Sequence, residues 1–301
     1  MESDFASGYK TKYGKMFVGT AESILTSPAA KKYKGKIQLV FTSPPFPLNR
    51  KKKYGNLQGE PYIDWLKQMS LLLKDFLTED GSIVMEVGNA WVKGSPVMST
   101  LALRSLLAFQ DEADLNLCQQ FICYNPARLP GPAQWVTIER ARVKDSFTHV
   151  WWMSPNERPK ADNRRVLKPY SKSMLQLLAS QKYNAGKRPS EHHIGEKSFL
   201  KNNKGAIPSN VLTLSNTRTN DNYQKYCRKN NLPMHPARMQ MELADFFINF
   251  LTEPGDLVLD PFGGSNTTGA SAERLKRKWV SIEPNVDYVK ASYGRFAKEE
   301  E

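Results

Sequence analysis

A segment near the carboxyl end of the chain has the residue types of a site that binds a nucleoside. It reads Asp260-Pro261-Phe262-Gly263-Gly264-Ser265-Asn266-Thr267-Thr268-Gly269 and lies where a predicted strand turns into a predicted helix. Glycines let a ligand approach the backbone closely, and the first turn of a helix offers free N–H groups to a negative group. No lysine follows the glycines, which argues against a phosphate-binding P-loop.

A carboxylate follows this segment at the distance expected for ribose binding. Glu283 lies nineteen residues after Gly264, at the end of the next predicted strand. A carboxylate at that position accepts hydrogen bonds from both hydroxyls of a nucleoside ribose. The glycines alone are equally consistent with a plain strand–helix turn, and it is Glu283 that favours the nucleoside site.

A second segment, Thr42-Ser43-Pro44-Pro45-Phe46, follows an apolar strand. Its prolines stiffen the chain and remove two N–H donors, while their carbonyl acceptors remain. We therefore expect the Ser43 hydroxyl and the Pro44 carbonyl to hold an amino group, with Pro45 stiffening the corner and Phe46 stacking on a flat base. The alternative is a proline-stiffened turn with no catalytic role.

Alternating strands and helices around the two motifs predict a parallel α/β sheet. Towards the amino end, the pattern predicts strands at 37–41, 82–87, 121–124 and 147–152, helices at 61–77 and 96–110, and a turn at Asp80-Gly81. Towards the carboxyl end, it predicts helices at 239–251 and 265–275 and strands at 256–260 and 279–283.

Glu86 lies near the end of the strand predicted at 82–87, which we expect beside the strand that leads to Ser43. There its carboxylate could accept a hydrogen bond or take a released proton. The alternative is an ordinary carboxylate at a strand end. His149, Trp151 and Trp152 lie in an apolar strand and are expected to be packing residues.

The positive charge is concentrated in the middle of the chain. The 301 residues include 43 Lys and Arg and 30 Asp and Glu, for a net charge of +13. Residues 156–235 hold 16 of the basic and 5 of the acidic side chains. This composition indicates an inserted, loop-rich module that contacts a polyanion. A disordered linker is the alternative, and the aromatic residues of the segment count against it.

Several protein classes are disfavoured by composition. No apolar run approaches the roughly 18 residues of a membrane span, and the amino-terminal residues lack an apolar signal stretch. The three cysteines, Cys118, Cys123 and Cys227, have no metal-ligand spacing, which disfavours a zinc cluster or a disulfide scaffold. We expect a cytoplasmic protein without a metal.

Together the two motifs resemble those of the amino-methyltransferases of DNA. That family has an Asp/Ser/Asn-Pro-Pro-aromatic catalytic motif and an Asp-Pro-Phe-x-Gly-Ser-Gly-Thr-Thr cofactor motif. The Ser-Pro-Pro form is similar to the N4-cytosine subclass, and the order of catalytic motif, basic insert and cofactor motif is similar to the β class. Segments 51–57, 139–145 and 235–238 also resemble one modification methylase of the family. Asn266, just inside the predicted helix, replaces the family's third glycine.

The resemblance implies a Rossmann-like methyltransferase fold, with a mostly parallel, circularly permuted, seven-stranded sheet that contains one antiparallel strand. Residues 1–155 would form its catalytic part, 156–235 the inserted target-recognition region, and 236–301 the cofactor-binding part. The implied cofactor is S-adenosylmethionine, with its methionine near Phe262 to Ser265 and its ribose on Glu283. The expected cofactor-binding residues are Asp260, Pro261, Phe262, Gly263, Gly264, Ser265, Glu283, His235 and Thr20. His235-Pro236-Ala237 would open the preceding helix and close the methionine end, and the contact to the adenine stays open among Thr20, Glu22 and Ser23.

The implied partner is double-stranded DNA, from which the target base must be flipped outwards. We expect the basic insert and the loop from Arg128 to Lys144 to contact DNA, mostly at phosphates. The candidate residues are Lys51, Lys52, Lys53, Arg128, Arg140, Arg142, Lys144, Arg164, Arg165, Lys187 and Arg188.

The resulting hypothesis is a site-specific methyltransferase acting on the N4 amine of cytosine, as the modification enzyme of a restriction system. Methylation at cytosine carbon 5 needs a cysteine nucleophile, which that chemistry places in a Pro-Cys pair, and this chain has no such pair. An adenine-N6 enzyme, an inactive DNA-binding protein with the same fold, and an RNA or small-molecule methylase remain alternatives. A companion endonuclease of the same system would act without forming a required complex.

Overall fold

The computed structural model describes residues 7–45, 57, 59–197, 199–215 and 221–297. The chain divides into a larger unit, Met1–Ala161 with Asn210–Glu301, and a smaller unit, Asp162–Ser209. The smaller unit lies inside the segment predicted as an insert, 156–235, but starts later and ends earlier.

The described ranges hold eleven strands and eight α-helices. The strands are β1 (Tyr9–Lys10), β2 (Gly14–Val18), β3 (Ile37–Thr42), β4 (Leu77–Gly88), β5 (Asn116–Tyr124), β6 (Phe147–Ser154), β7 (Gly186–Lys187), β8 (His193–Ile194), β9 (Val211–Thr213), β10 (Leu257–Asp260) and β11 (Lys278–Glu283). The α-helices are α1 (Ala21–Leu25), α2 (Glu60–Lys74), α3 (Leu101–Glu112), α4 (Lys172–Ser180), α5 (Asn222–Lys229), α6 (Met241–Leu251), α7 (Thr267–Arg274) and α8 (Val286–Ser292). Across these ranges, we find no helix with the length and apolar character needed to cross a membrane.

Nine of the described strands form one sheet, in the order β1-β2-β11-β10-β3-β4-β6-β5-β9. The seven central strands, from β2 to β5, are parallel except for β6, which runs antiparallel to both of its neighbours. The short strands β1 and β9 extend the two edges. The prediction of a mostly parallel, seven-stranded sheet with one antiparallel strand is confirmed.

Helices cover both faces of this sheet. On one face, α2 and α3 bury residues such as Leu66 and Phe109 against the strands. On the other face, α6 and α7 bury residues such as Phe247 and Ala272. Strand β3 lies between the two layers and all six of its residues are buried, which explains why its sequence is largely apolar instead of alternating.

The turn predicted at Asp80-Gly81 is wrong. These residues lie within β4, where the pairing with β3 shifts register between Ile37 and Leu39. A Cβ on Gly81 would lie 2.9 Å from the Ile37 carbonyl oxygen, so the glycine marks a close approach of two backbones. An Asp-Gly pair looks the same in the sequence whether it forms a turn or lies inside a strand. The pairing with the neighbouring strand decides between the two.

Three predicted helices begin later than expected, and one of them, α7, begins at Thr267 instead of Ser265. Helix α3 begins at Leu101, and the preceding residues form a bridge between Trp91 and Met98. Helix α6 begins at Met241, so the segment 235–237 is a loop before the helix and does not open it. Strand β2 and helices α1, α5 and α8 were not predicted, because each has eight residues or fewer and is too short for a clear periodic pattern.

The smaller unit contains helix α4 and a hairpin of β7 and β8. Ser171 caps α4 by accepting a hydrogen bond from the Met174 N–H. The Tyr183 hydroxyl donates to the Gly195 carbonyl, and its ring meets Phe199 edge-on at 5.4 Å. Ten lysines and arginines and three acidic residues give this unit a net charge of +7. Aromatic contacts thus organise a strongly basic segment.

Candidate active site

The two sequence motifs meet where the chain reverses its direction across the sheet. From β10 the chain passes through α7 on one face to β11, and from β3 it passes through α2 on the other face to β4. Such a reversal leaves a crevice at the carboxyl ends of the two strands, and ligands of open α/β sheets bind there. A cavity of about 430 Å³ opens at this point and is lined by residues of both motifs.

Asp260, the last residue of β10, ties three elements together. Its carboxylate accepts hydrogen bonds from Thr42 Oγ1 at 2.7 Å, Thr268 Oγ1 at 2.6 Å and the Phe262 N–H at 3.1 Å. Burial raises the pKa of the Asp260 carboxyl, and the three hydrogen bonds act in the opposite direction. Asp260 therefore joins the end of β3, the glycine turn and helix α7.

Glu283, the last residue of β11, holds the glycine turn from the other side. Its Oε2 accepts from the Gly264 N–H at 3.0 Å and its Oε1 from the Asn285 N–H at 2.9 Å. Burial raises the pKa of the Glu283 carboxyl, the two backbone hydrogen bonds act in the opposite direction, and the nearby Asp260 adds a smaller rise. Glu283 lines the cavity, and each carboxylate oxygen has a further lone pair for a ligand hydroxyl.

Two features of the structure require a glycine at position 264. Its φ is +50°, and a Cβ there would lie 3.1 to 3.3 Å from atoms of the His235 ring. His235 Nδ1 donates to the Ala237 carbonyl at 2.6 Å, and its ring stands edge-on to Tyr288 at 4.7 Å. The loop that begins at His235 therefore lies against the glycine turn, and both line the cavity.

Asn266 is the N-cap of α7 and does not lie inside the helix as expected. It adopts the left-handed conformation (φ 55°, ψ 43°), in which Gly is preferred and Asn is among the tolerated residues. Its Oδ1 accepts from the Gly269 N–H and from Ser281 Oγ, and its Nδ2 donates to the Tyr9 hydroxyl. The left-handed backbone explains why a family motif with glycine at this position can carry asparagine.

Ser43, Pro44 and Pro45 line the cavity directly after β3. Because Thr42 is bonded to Asp260, this corner lies beside the glycine turn. Phe46, the aromatic residue of the motif, lies outside the described residues.

Glu86 lies on β4, next to the strand that leads to Ser43, and this predicted neighbourhood is confirmed by the pairing of Thr42 with Met85. Thr148 Oγ1 on β6 donates to Glu86 Oε1 at 2.8 Å. Burial raises the pKa of Glu86, while the Thr148 hydrogen bond and the charge of Arg128 lower it. Glu86 lines the same cavity as Ser43 and could accept a proton there.

Cys123 also lines this cavity, and burial, together with the nearby Glu86, raises the pKa of its thiol to about 12. A thiol with such a pKa is protonated near neutral pH, whereas a cysteine nucleophile reacts as the thiolate. The cavity therefore contains no activated cysteine at this position.

Three carboxyl groups, those of Glu86, Asp260 and Glu283, line one cavity together with apolar side chains such as Phe262. The Phe262 ring packs on Trp65, with ring centroids 5.5 Å apart. Carboxylates favour a nearby positive charge, and Glu283 can accept hydrogen bonds from hydroxyls. The site suits a ligand that combines a cationic centre with a hydroxylated, partly apolar body.

Thr20 follows β2, whose last residue pairs with Glu283. Its hydroxyl accepts from the Ser23 N–H and caps α1. Glu22 accepts a hydrogen bond from Trp65 Nε1. Thr20 is exposed and is not among the residues that line the cavity.

Arg128 lines the cavity, and its Nη1 donates to the Phe147 carbonyl at 3.5 Å. Lys144 Nζ donates to the carbonyls of Pro126 at 3.0 Å and Arg128 at 3.3 Å. The predicted DNA-contacting loop therefore begins at the cavity, and Lys144 holds its two ends together.

Arg142 is mostly buried, unlike the exposed Arg140. Its Nη1 donates to the Pro96 carbonyl at 3.0 Å, and its Nη2 lies 3.5 Å from Asp145 Oδ2. Its guanidinium also lies over the Trp91 ring at 5.6 Å. These contacts give Arg142 a role in holding the loop.

The remaining predicted DNA contacts are divided between the smaller unit and residues that are not described. Arg164 makes two hydrogen bonds of 2.8 Å to Asp162, and these bonds lower the pKa of that carboxyl to about 2. Lys187 Nζ lies 3.4 Å from Glu191 Oε1. Lys51, Lys52 and Lys53 lie outside the described residues. The other two basic residues of the smaller unit in this set are Arg165 and Arg188.

Sequence reasoning missed several residues that line the cavity, among them Asn125, Thr148 and Tyr288. The sequence could have indicated Thr148 as a residue of the site, because the alternation of side chains along β6 places it on the face opposite His149. His149, Trp151 and Trp152 are buried, which confirms them as packing residues. Nothing in the sequence indicated that Tyr288 would line the cavity, because the short helix α8 was not predicted.

The sequence model of a family described as DNA methylase matches residues 37–294 of the chain. The type II methyltransferase M.PvuII of Proteus hauseri is 44% identical over 290 residues, which cover 96% of this chain and 85% of that protein. The chain is also similar to the solved structure of the PvuII DNA methyltransferase, described as cytosine-N4-specific. The TM-score is 0.77 at 38% identity, over 97% of this chain and 89% of that one.

A more distant solved structure is the complex of M1.HpyAVI with SAM. It matches with a TM-score of 0.57 at 16% identity, over 95% of this chain and all of that one. This likeness shows that the fold is shared.

Proposed function

The chain belongs to the DNA methylase family, and from that premise we propose that it transfers a methyl group from S-adenosylmethionine to the N4 amine of cytosine in a short duplex sequence. The single observation that carries the proposal is the meeting of the Ser-Pro-Pro corner and the glycine turn in one cavity, joined by the Thr42–Asp260 hydrogen bond. The similarity to a methyltransferase described as cytosine-N4-specific supports the choice of base.

The residues of the cavity fit S-adenosylmethionine. Glu283 would accept from the ribose hydroxyls, and the glycine turn from Gly263 to Ser265 would leave room for the methionine portion. The His235 ring, which lies against Gly264, would close that end. When bound, S-adenosylmethionine supplies an electrophilic methyl group on a sulfonium, and the carboxyl groups of the cavity suit that positive charge.

The chain's task in this reaction is to position a weak nucleophile. The lone pair of cytosine's exocyclic nitrogen is delocalised into the ring, so the amine must be drawn towards tetrahedral geometry before it can attack. Acceptors on both of its N–H bonds achieve this, and Ser43 Oγ and the Pro44 carbonyl are the groups we assign. The prolines hold the two acceptors rigidly, which reduces the entropy lost in reaching the reactive geometry.

Glu86 is the acceptor we assign to the proton that the amine loses. It lies on the strand beside Ser43, lines the same cavity, and is held by Thr148. Burial raises its pKa, which makes its carboxylate a better base than an exposed glutamate.

The target cytosine must leave the duplex to reach this cavity, at a cost of roughly a few kcal/mol. The basic smaller unit, with net charge +7, and the loop at Arg128 would contribute contacts to the phosphates. The likeness to a type II methyltransferase supports a modification enzyme of a restriction system, working in the cytoplasm beside a companion endonuclease.

Sequencing of modified bases in plasmid DNA from cells that express the chain tests this function. We expect N4-methylcytosine at one short recognition sequence, and much less modification of DNA from cells that express the Ser43→Ala variant. N6-methyladenine at the site would replace the cytosine assignment with the adenine enzyme. Unmodified DNA in the presence of folded, DNA-binding protein would indicate an inactive relative.

A further inference from the structure

We propose that Arg295 is a positioning residue for the cofactor turn, acting through Ser265 and, by way of Tyr223, on the loop at His235. This role rests on the proposed function, because it assumes that S-adenosylmethionine occupies the cavity. Arg295 lies outside all of the sequence motifs and does not line the main cavity.

Arg295 donates two hydrogen bonds to Ser265. Its Nε donates to the Ser265 carbonyl at 2.6 Å, and its Nη2 donates to Ser265 Oγ at 2.9 Å. The side chain of Arg295 is only 8% exposed, and its Nη1 lies 3.9 Å from Asp221 Oδ2. A planar guanidinium can hold two acceptors on one residue at fixed geometry, which an ammonium group cannot do.

The same guanidinium lies over the ring of Tyr223, 4.8 Å from its centroid. Tyr223 is 1% exposed, and its hydroxyl accepts from the His235 N–H at 2.8 Å. His235 and Ser265 both line the cavity, on the two segments that meet at Gly264. One Arg–Tyr pair behind the cavity therefore fixes both walls of the methionine end.

A second buried arginine provides a matched control. Arg277 is 5% exposed, and it donates to the carbonyls of Leu275 and Thr252 and to the Thr252 hydroxyl. None of these residues lines the main cavity. Removing Arg277 should destabilise the protein in the way that loss of any bonded, buried arginine does, without touching the cofactor turn.

The test compares binding of S-adenosylhomocysteine by calorimetry in the full-length wild type and in the Arg295→Met, Arg295→Lys and Arg277→Met variants. Arg295→Met should weaken binding roughly 10- to 100-fold, the effect of losing hydrogen bonds to a charged group. Arg295→Lys, which keeps one donor, should fall between. Arg277→Met should bind as the wild type does, at a lower melting temperature, and the affinity for duplex DNA should be unchanged in all three variants.

Tyr223→Phe gives a second, milder variant in case Arg295→Met does not fold. It removes the hydroxyl that accepts from the His235 N–H and also bonds Cys227, and it should weaken S-adenosylhomocysteine binding roughly three- to tenfold. Amide exchange at residues 264–267, measured without any cofactor, should speed up in the Arg295 variants and not in Arg277→Met. Wild-type binding by folded Arg295→Lys and Tyr223→Phe would overturn the positioning role. Failure of the wild type to bind would instead reject the proposed function.

Discussion

The hydroxyl of Thr42 donates a 2.7 Å hydrogen bond to Asp260, across 218 residues of sequence and between two neighbouring strands. Thr42 precedes the Ser-Pro-Pro corner, and Asp260 begins the glycine turn. Because both side chains are buried, the bond is shielded from water. It fixes the distance between the segment that would hold the target amine and the segment that would hold the methyl donor.

Replacing Thr42 by valine removes this hydroxyl with little change in shape. We expect the free energy of unfolding to fall by about 1–2 kcal/mol, since Asp260 keeps its bonds to Thr268 and Phe262. The methyl-transfer rate should fall about tenfold, because the two segments are no longer held in register. Thr252→Val is the control: it removes a buried hydroxyl that bonds the Ile248 carbonyl and Arg277 and does not line the cavity, so we expect a similar loss of stability and little loss of rate. Denaturant unfolding and single-turnover transfer would measure both, and equal rates in the two variants would contradict the prediction.

Gly264→Ala should weaken cofactor binding at least tenfold, because the new methyl group meets the His235 ring and the backbone has a positive φ. The strain alone costs about 1–2 kcal/mol. Gly255→Ala is the control, since Gly255 also has a positive φ (+92°) but nothing lies within 4 Å of its Cβ position. We expect it to lower stability and leave the affinity for S-adenosylhomocysteine unchanged. Calorimetric titration of both variants separates the steric effect from the backbone effect, and comparable affinities would refute the steric one.

The transfer rate should have an acid limb set by Glu86. Burial raises the pKa of this carboxyl, so we expect activity to be lost at a pH above the usual range of a glutamate as the base becomes protonated. Glu86→Gln should lower the rate by about 10²-fold and remove this limb. Rate–pH profiles at saturating substrate provide the measurement, and an acid limb that survives in Glu86→Gln would assign the proton acceptor elsewhere.

Thr148→Val tests the same assignment without removing the base. The Thr148 hydrogen bond lowers the pKa of Glu86, so its loss should move the acid limb to higher pH. Glu86 should also affect how stability depends on pH, because the folded protein binds its proton more tightly than the unfolded chain does. This carboxyl should therefore destabilise the protein as pH rises from its unfolded pKa through its raised folded pKa. Glu86→Gln should remove that part of the pH dependence of unfolding.

The sequence was sufficient for the elements that carry the motifs, because strands buried on both faces and a glycine turn followed by a carboxylate leave strong local patterns. It was insufficient where a distant contact determines the backbone. Asp80-Gly81 reads as a turn, and only the shifted pairing with β3 keeps it inside β4. Asn266 reads as a helical residue, and its bonds to Tyr9 and Ser281 hold it in the left-handed conformation.

The residues of the candidate site also divide into those that the sequence could predict and those that depend on distant contacts. Ser43, Glu86, Gly264 and Glu283 lie in one cavity as expected from strand ends that meet at one edge of a sheet. Arg295 and Tyr223 could not have been found from spacing. Their role depends on a C-terminal turn and a short helix, neither of which leaves a periodic pattern, and on their packing against a loop far away in sequence.

The most direct test of the proposed chemistry is single-turnover methyl transfer from labelled S-adenosylmethionine to duplex DNA, with the modified nucleosides identified by mass spectrometry. The wild type should yield N4-methylcytosine. Ser43→Ala should react about 10²- to 10³-fold more slowly, the loss typical of removing one positioned hydrogen-bonding group, with nearly unchanged affinity for S-adenosylhomocysteine. Equal rates for the two proteins, or N6-methyladenine as the product, would contradict a Ser-Pro-Pro corner that holds a cytosine amine towards the methyl donor.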